Sequence, residues 1–148
     1  MKKYLTNKKA RFNFEIIATY EAGLVLFGHE VKAIRAGKGS LVGSYVLIRG
    51  GEAFLVNATF GPYQIANTPK DYDPERPRKL LLSRKEISAL ERKIEEAGLT
   101  LVAISLYDTK SNLKLEVALA RGKKKADKRE TIKKRDSQRS IQRILKNQ

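Results

Sequence analysis

The residues of this chain best suited to chemistry are basic, and they are concentrated towards its C-terminal end. Residues 121–148 contain twelve lysines and arginines against three acidic residues, so this segment carries +9 of the formal net charge of +15. All eleven tyrosines and phenylalanines precede it. A segment with so much charge and so little apolar surface does not fold alone, and it attracts polyanions. We therefore expect a basic tail over 121–148 that is disordered when free and binds nucleic acid.

Two other motifs suggest catalysis but lack the residues that it needs. A phosphate-binding loop requires Ser or Thr directly after its lysine, whereas Lys38 is followed by Gly39. The glycines around Lys38 are better explained as a helix end and a turn. His29 is the only histidine, and no cysteine or serine accompanies it at a recognisable spacing. We expect His29 to be a surface or capping residue and the protein not to be an enzyme.

A group of acids between prolines is the remaining candidate for chemistry. Asp71, Asp73 and Glu75 could suggest a metal-dependent nuclease, but Pro74 and a following basic run interrupt the spacing of a calcium-binding loop. The chain has no cysteine, which excludes disulfides and thiolate zinc sites. We expect neither a metal nor another cofactor, and the nuclease stays a minor alternative that would require metal-dependent cleavage.

Basic residues also form two clusters before the tail. Lys8, Lys9 and Arg11 form the first, and Arg76, Arg78 and Lys79 form the second. Mixed Arg and Lys suit recognition of a phosphate backbone and of RNA shape more than base-by-base reading of duplex DNA. No apolar run approaches the roughly 20 residues that span a bilayer. We therefore expect an RNA partner in the cytoplasm, with neither membrane nor DNA.

The first half of the chain predicts a bent strand, a short helix and a hairpin. Apolar residues at spacing two on both sides of Gly23 indicate a strand over 12–26 that bends near that glycine. Spacing of three between glycines predicts a helix over 28–37. Two β-rich segments, 44–49 and 52–59, are joined by Gly50 and Gly51, a pair typical of a two-residue hairpin turn.

The second half predicts a loop, a helix and a second hairpin. All four prolines lie in 61–78, which we expect to be a loop. Ser83 and Glu86 form a capping box for a helix over 84–97 that ends at Gly98. In the next strand Val102, Ile104 and Leu106 alternate with smaller residues, and a further strand follows over 113–119. Short connections predict an OB-type antiparallel β-barrel with helices over 1–120.

Six segments of the chain, in order, resemble the bacterial SsrA-binding protein family, SmpB. They are NKKARFNFEI (7–16), YEAGL (20–24), GHEVK (28–32), RAGK (35–38), RKLLL (78–82) and LARGKKKADKRETIKKRD (119–136). The ordered set covers nearly the whole chain and is highly specific. Two positions depart from the family pattern: Ala126 stands where an aromatic residue or histidine is usual, and Ser137 where tryptophan is usual.

The resemblance implies an OB-type barrel that binds the tRNA-like domain of transfer-messenger RNA and delivers it to stalled ribosomes for trans-translation, without catalysis. It implies RNA contacts at Glu21, Leu81 and Lys114, to which the basic cluster adds Arg78 and Lys79. It also implies that the tail enters the decoding region of the small subunit and the empty message channel, through Gly122, Lys123, Lys124, Asp127, Lys128, Arg129, Lys133, Lys134, Arg135, Ile144 and Leu145. The alternative is a structural ribosomal protein embedded in ribosomal RNA.

Overall fold

A computed structural model describes residues 2–62, 68–123, 129, 132, 133 and 135. Over residues 2–123 the secondary structure alternates between strands and three short or medium helices. The elements are β1 (Lys3–Thr6), α1 (Lys8–Asn13), β2 (Phe14–Leu24), α2 (Gly28–Arg35), β3 (Tyr45–Arg49), β4 (Glu52–Val56), β5 (Arg78–Leu81), α3 (Arg84–Ala97), β6 (Thr100–Thr109) and β7 (Asn112–Gly122).

The strands form one antiparallel sheet whose hydrogen bonding runs in a ring. The order is β1-β6-β3-β4-β5-β2-β7, and β7 also pairs with β6, so six strands follow one another around the ring while β1 adds to β6. The prediction of a mainly antiparallel β fold with a few helices is confirmed. All seven strand pairs of the described chain are antiparallel, although only β3–β4 and β6–β7 are joined by short turns.

Local sequence signals account for the best-predicted elements. Gly50 and Gly51 adopt φ values of 61° and 76°, as the hairpin turn between β3 and β4 requires. At the start of α3 the Glu86 amide donates to Ser83 Oγ at 3.1 Å, and the Ser83 amide donates to Glu86 Oε1 at 3.2 Å. Gly98 ends the helix in the left-handed conformation with φ 62°. Each of these features depends on residues that are close in sequence.

Strand β6 is buried on both faces because two apolar cores meet on it. Leu101, Ala103 and Leu106 belong to the main core inside the ring, whereas Val102 and Ile104 belong to a smaller core covered by α1. The predicted alternation, which placed Leu106 on the same face as Val102 and Ile104, is wrong. The register shifts between Ala103 and Ser105, and this bulge turns the rest of the strand over.

Elements that depend on distant contacts were not predicted. Residues 8–13 form a helix that was not predicted, and it includes residues 12 and 13, which were expected to begin the strand. Asn7 before this helix donates from Nδ2 to the carbonyls of Leu41 and Ala103, both at 3.0 Å. The end of the proline-rich loop becomes β5, which pairs with β4 and β2. Among the described residues, no helix combines the length and the apolar character needed to cross a membrane.

Candidate nucleic-acid interface

The outer face of the sheet aligns two predicted site residues, Leu81 and Lys114, in one row. Gly23 of β2 pairs with Leu81 of β5 on one side and with Lys114 of β7 on the other, and Lys114 pairs with Tyr107 of β6. Side chains directly opposite each other in paired strands lie about 5 Å apart. Leu81 and Lys114 are therefore held on the two sides of a glycine that carries no side chain.

The missing side chain leaves a groove of about 360 Å³ along this row. Its lining residues are Gly23, Leu24, Leu26, Val31, Arg35, Leu81, Ser111, Asn112, Leu113 and Lys114. Leu81 is 56% exposed although it is apolar, and it packs over Gly23: a Cβ there would lie 3.3 Å from Leu81 Cδ1. The groove thus combines an exposed apolar surface with the cations Lys114 and Arg35.

Arg35 is fixed at the rim of this groove. Its Nη2 donates to the Ser111 carbonyl at 2.9 Å and pairs with Asp108 Oδ1 at 3.4 Å. The same Asp108 carboxylate accepts a hydrogen bond from Tyr4 at 2.6 Å, which raises the pKa of the Tyr4 hydroxyl. The cation is therefore oriented before any partner binds.

Glu21 lies two residues before Gly23 on the same face of β2 and is exposed. The Tyr107 hydroxyl donates to Glu21 Oε2 at 2.7 Å. Burial, together with this bond and the charge of Glu21, raises the pKa of Tyr107, so the hydroxyl stays protonated and remains a donor. Glu116 lies opposite Glu21 in β7 and accepts from Ser105 at 3.3 Å. The ordered Glu21 carboxylate can accept hydrogen bonds from the donor groups of a base or a sugar.

Lys79 is also on the outer face, two residues before Leu81 in β5. Its ammonium pairs with the Glu52 carboxylate at 3.2 Å, and both side chains are about half exposed. An exposed pair of this kind is weak, since solvent screens it and side-chain entropy opposes it. Lys79 can therefore exchange Glu52 for a phosphate at little cost.

Arg78 does not reach the outer face. It is fully buried, and its guanidinium donates to Glu30 Oε2 through Nε at 3.0 Å and Nη2 at 2.7 Å. It also donates to the carbonyls of Ala58 and Pro74, both at 2.8 Å. In the described structure this arginine is therefore a support inside the fold, whereas its neighbours Lys79 and Leu81 face outwards. Side chains alternate between the two faces along β5, so Arg78 is buried while Lys79 and Leu81 are exposed.

The partner of Arg78 is Glu30, a fully buried carboxylate in α2. Burial alone would raise its pKa, but hydrogen bonds from Arg76, the Phe27 amide, Tyr72 and Arg78 outweigh burial and lower the pKa to about 2. Burial and the same carboxylate raise the pKa of Tyr72 to about 12. This network, the Glu30 cluster (Glu30, Tyr72, Arg76 and Arg78), attaches the loop before β5 to the start of α2.

Five of the eleven predicted tail residues lie in the described part of the chain. Gly122 is the last residue of β7, and the Lys123 amide donates to the Asn13 carbonyl at 2.9 Å. Arg129, Lys133 and Arg135 are exposed and have helical backbone. The Arg135 guanidinium lies 5.6 Å from the centre of the Phe12 ring. Outside the described residues are Lys124, Asp127, Lys128, Lys134, Ile144 and Leu145, and also Ala126 and Ser137.

Two of the three loop acids, Asp73 and Glu75, make hydrogen bonds within the fold. Asp73 Oδ1 accepts a hydrogen bond from the Glu75 amide at 2.9 Å, as in a turn closed by an aspartate. Within the described ranges, no three His, Cys, Asp or Glu side chains are grouped so that they could hold a metal ion. The arrangement of donors in the described loop gives the nuclease alternative no support.

One feature near this loop was missed by sequence reasoning. Phe27, His29, Tyr72 and Arg76 meet beside the Glu30 cluster, with the His29 ring edge-on to Tyr72 at 4.5 Å and the Arg76 guanidinium 3.9 Å from the centre of the Phe27 ring. The residues come from a helix start and from a loop more than forty positions later. No local pattern joins Phe27 and His29 to Tyr72 and Arg76, so the sequence alone could not indicate this cluster.

Comparisons with known proteins identify relatives of this chain. The family model described as "SmpB protein" matches residues 4–147. An SsrA-binding protein of Gloeothece citriformis is 50% identical over 140 residues, which is 95% of this chain and 90% of the relative. One of Pseudomonas entomophila is 49% identical over 141 residues, which is 95% of this chain and 88% of the relative.

A solved structure gives the same assignment. It is described as "tmRNA-SmpB: a journey to the center of the bacterial ribosome", is 43% identical in sequence, and superposes with a TM-score of 0.67 over 82% of this chain and 85% of that one. The family match extends over almost the entire sequence, and the relatives are covered nearly end to end. The chain therefore belongs to the SmpB family of SsrA-binding proteins.

Proposed function

We propose that this protein is an adaptor whose folded body binds the tRNA-like domain of transfer-messenger RNA and whose tail detects an empty message channel in the ribosome. As a member of the SmpB family, it binds transfer-messenger RNA and acts in trans-translation, the rescue of stalled ribosomes. Its partners are that RNA and the ribosome, and its role is not enzymatic. Cytoplasmic localisation is part of the proposal, because ribosomes translate there.

The ring of strands supports a closed OB-type barrel as the scaffold for RNA binding. Each strand of the ring pairs with two neighbours, and the apolar core lies inside. Small closed β structures fix their outward side chains firmly, and OB folds use an outer strand face for oligonucleotides. The scaffold proposed here would present Leu81 and Lys114 in one register with Gly23, and Glu21 two residues earlier on the same face of β2.

The observation that carries the RNA-binding face is the row Leu81–Gly23–Lys114. We assign Leu81 to apolar contact with a base or ribose, Lys114 to a phosphate, and Glu21 to hydrogen-bond donors of the RNA. Lys79 extends the cationic surface along β5. Arg78, which is buried, contributes to binding indirectly, because it holds the β5 strand and the preceding loop in place through Glu30.

The tail carries the proposed ribosomal role through its charge. The twelve basic residues of 121–148 match the phosphate-rich walls of the decoding region and of a message channel that holds no RNA. In this proposal Lys124, Asp127, Lys128, Lys134, Ile144 and Leu145 belong to the inserted segment together with Gly122, Lys123, Arg129, Lys133 and Arg135. Specific RNA binding by the body and insertion of the tail are separate functions.

The RNA that copurifies with the protein tests the function as a whole. A single dominant small RNA with a tRNA-like domain supports the adaptor, and ribosomal RNA in stoichiometric amount supports a structural ribosomal protein instead. Sequencing the bound RNA separates these outcomes without any assumption about individual residues.

Substitutions on the outer face test the site. Leu81→Ala, Lys114→Ala and Glu21→Gln should each weaken binding of the tRNA-like RNA by about 1–3 kcal/mol in gel-shift titrations at fixed salt. Leu47→Ala is a matched control, because Leu47 is also an exposed leucine on a strand but lies away from the row, on β3. If all three site variants bind the tRNA-like RNA with wild-type affinity, this face is not the RNA-binding surface.

A further inference from the structure

A cleft separate from the Leu81–Gly23–Lys114 row lies at the start of α2. It has a volume of about 490 Å³, which is in the range of pockets that hold small ligands. We call it the aromatic pocket and define it by its lining residues, Phe27, His29, Pro69, Asp71, Tyr72, Asp73 and Arg76. None of the predicted RNA-binding residues lies in it.

The walls of the aromatic pocket include aromatic rings that remain partly exposed. Phe27 is 52% exposed, with the Arg76 guanidinium stacked on its ring at 3.9 Å. The His29 ring lies 5.6 Å from Phe27 and 4.5 Å from Tyr72, centre to centre. Unpaired RNA bases stack on such aromatic rings and on guanidinium planes.

A single buried carboxylate holds three of these walls in place. Glu30 accepts hydrogen bonds from the Phe27 amide at 2.8 Å and from the Tyr72 hydroxyl at 2.7 Å, and it forms an ion pair with Arg76. The pocket is therefore built before a ligand arrives, and binding does not have to order it. By contrast, His29 Nδ1 is buried without a hydrogen-bond partner among the described residues. Ring contacts set the position of the imidazole.

The charges of the pocket distinguish a base from a phosphate. Asp71 and Asp73 both line it, while the Arg76 charge is already paired with Glu30. Carboxylates repel phosphate, but they accept hydrogen bonds from the exocyclic amino groups of bases. The lining is thus suited to the flat, amino-bearing part of a nucleotide, with the phosphate left outside.

We propose that the aromatic pocket binds one unpaired nucleobase with an exocyclic amino group, namely adenine, cytosine or guanine, as a second contact for the RNA partner. The inference rests on the proposed function, because it takes RNA as the partner. It adds a base-recognising site outside the Leu81–Gly23–Lys114 row.

The only histidine of the chain makes a direct test possible, since every histidine ring signal in a nuclear magnetic resonance spectrum comes from His29. The full-length protein is titrated with AMP, CMP, UMP and ribose 5-phosphate to about 10 mM, because single-base contacts give millimolar affinities. We expect saturable shifts of the His29 signals with AMP and CMP, weaker shifts with UMP, and none with ribose 5-phosphate.

Two variants and a control variant test whether the aromatic pocket is the site of these shifts. Phe27→Ala should remove the shifts and weaken binding of the tRNA-like RNA by about fivefold to 100-fold, the range of one base stack. Asp71→Asn should reduce the preference for AMP and CMP over UMP, because it removes a carboxylate acceptor and keeps the shape. Leu47→Ala should change neither. Circular dichroism spectra and melting curves identify any variant that is unfolded.

The possible failures are distinguishable. Equal shifts with ribose 5-phosphate would show an anion site and overturn the base assignment. Absence of saturable shifts, together with wild-type RNA affinity in Phe27→Ala, would overturn the pocket while the adaptor function stands. If the wild-type protein itself does not bind the tRNA-like RNA, the proposed function fails instead.

Discussion

The Tyr107 hydroxyl and the Glu21 carboxylate are joined by a 2.7 Å hydrogen bond that reaches from β6 across β7 to β2. One carboxylate oxygen is thereby fixed by the protein, and the side chain is directed along the outer face beside Lys114. Since Glu21 is exposed, the bond orients the carboxylate more than it stabilises the fold. Tyr107 is thus a positioning residue for a proposed RNA contact.

Tyr107→Phe should lower RNA affinity although Tyr107 itself need not touch RNA. A hydrogen bond to a charged group contributes about 1.5–3 kcal/mol when buried, and exposure of Glu21 reduces this to about 1 kcal/mol, or roughly fivefold in affinity. Tyr45→Phe removes the hydroxyl of an exposed tyrosine on β3 and is the control. Equal affinity of Tyr107→Phe and Tyr45→Phe for the tRNA-like RNA in filter-binding assays would contradict this positioning role. Additive effects of Glu21→Gln and Tyr107→Phe on that affinity would contradict it as well.

Gly23→Ala should affect binding more than folding. The added Cβ would lie 3.3 Å from Leu81 Cδ1 and 3.4 Å from Leu81 Cβ, and because Leu81 is exposed its side chain can swing away. Because Gly23 is itself buried, the change costs more than a surface substitution, about 1 kcal/mol of stability. We expect a clear loss of RNA affinity with a melting temperature within a few degrees of wild type. Gly61→Ala is the control, since its Cβ would meet no atom within 4 Å.

The Glu30 cluster should make stability depend on acid pH. Because the pKa of Glu30 falls from an ordinary 4.5 to about 2 in the folded protein, the carboxylate contributes its full stabilisation above pH 4.5 and loses it as pH falls towards 2. The shift corresponds to roughly 3 kcal/mol. The free energies of unfolding of wild type and Glu30→Gln, measured in urea, should differ more at pH 7 than at pH 3.

A control for this measurement is Glu52→Gln, whose carboxylate forms only the exposed pair with Lys79. Its effect should stay below about 1 kcal/mol at pH 7. A Glu30→Gln protein as stable as wild type at pH 7 would contradict the structural role assigned to the Glu30 cluster, including its support of β5.

Truncation after Lys123 should separate body from tail. β7 extends to Gly122 and the Lys123 amide is bonded to Asn13, so a cut after residue 123 keeps the last strand complete. Specific affinity for the tRNA-like RNA should largely remain, and the plot of log affinity against log salt should become shallower because fewer counterions are released. Binding that disappears at low salt on truncation would contradict an RNA site confined to the body.

The parts of the structure that were predicted and those that were not differ in the range of their interactions. The start of α3 at Ser83 and the Gly50–Gly51 turn depend on residues within a few positions, so the sequence pattern indicates them directly. The helix after Asn7 and the strand at Arg78 depend on partners tens of residues away. Periodicity could therefore not indicate them.

The same reason limits prediction of the site. That Leu81 and Lys114 share a register with Gly23 follows from the pairing of β5, β2 and β7, which no local pattern encodes. The resemblance to a family supplied these two residues without their geometry. Arg78 was grouped with Lys79 because both are basic, but alternation along a strand sends neighbours to opposite faces.

Under the proposed function, the length of β2 makes the protein a spacer between two binding events. Phe14, at one end of the strand, pairs with Gly122, the last residue of β7 before the tail, and Gly23, at the other end, lies in the proposed RNA-binding row. Nine residues of extended chain span roughly 30 Å. The two proposed sites are therefore separated by the length of one strand, so the RNA and the ribosome need not compete for the same surface.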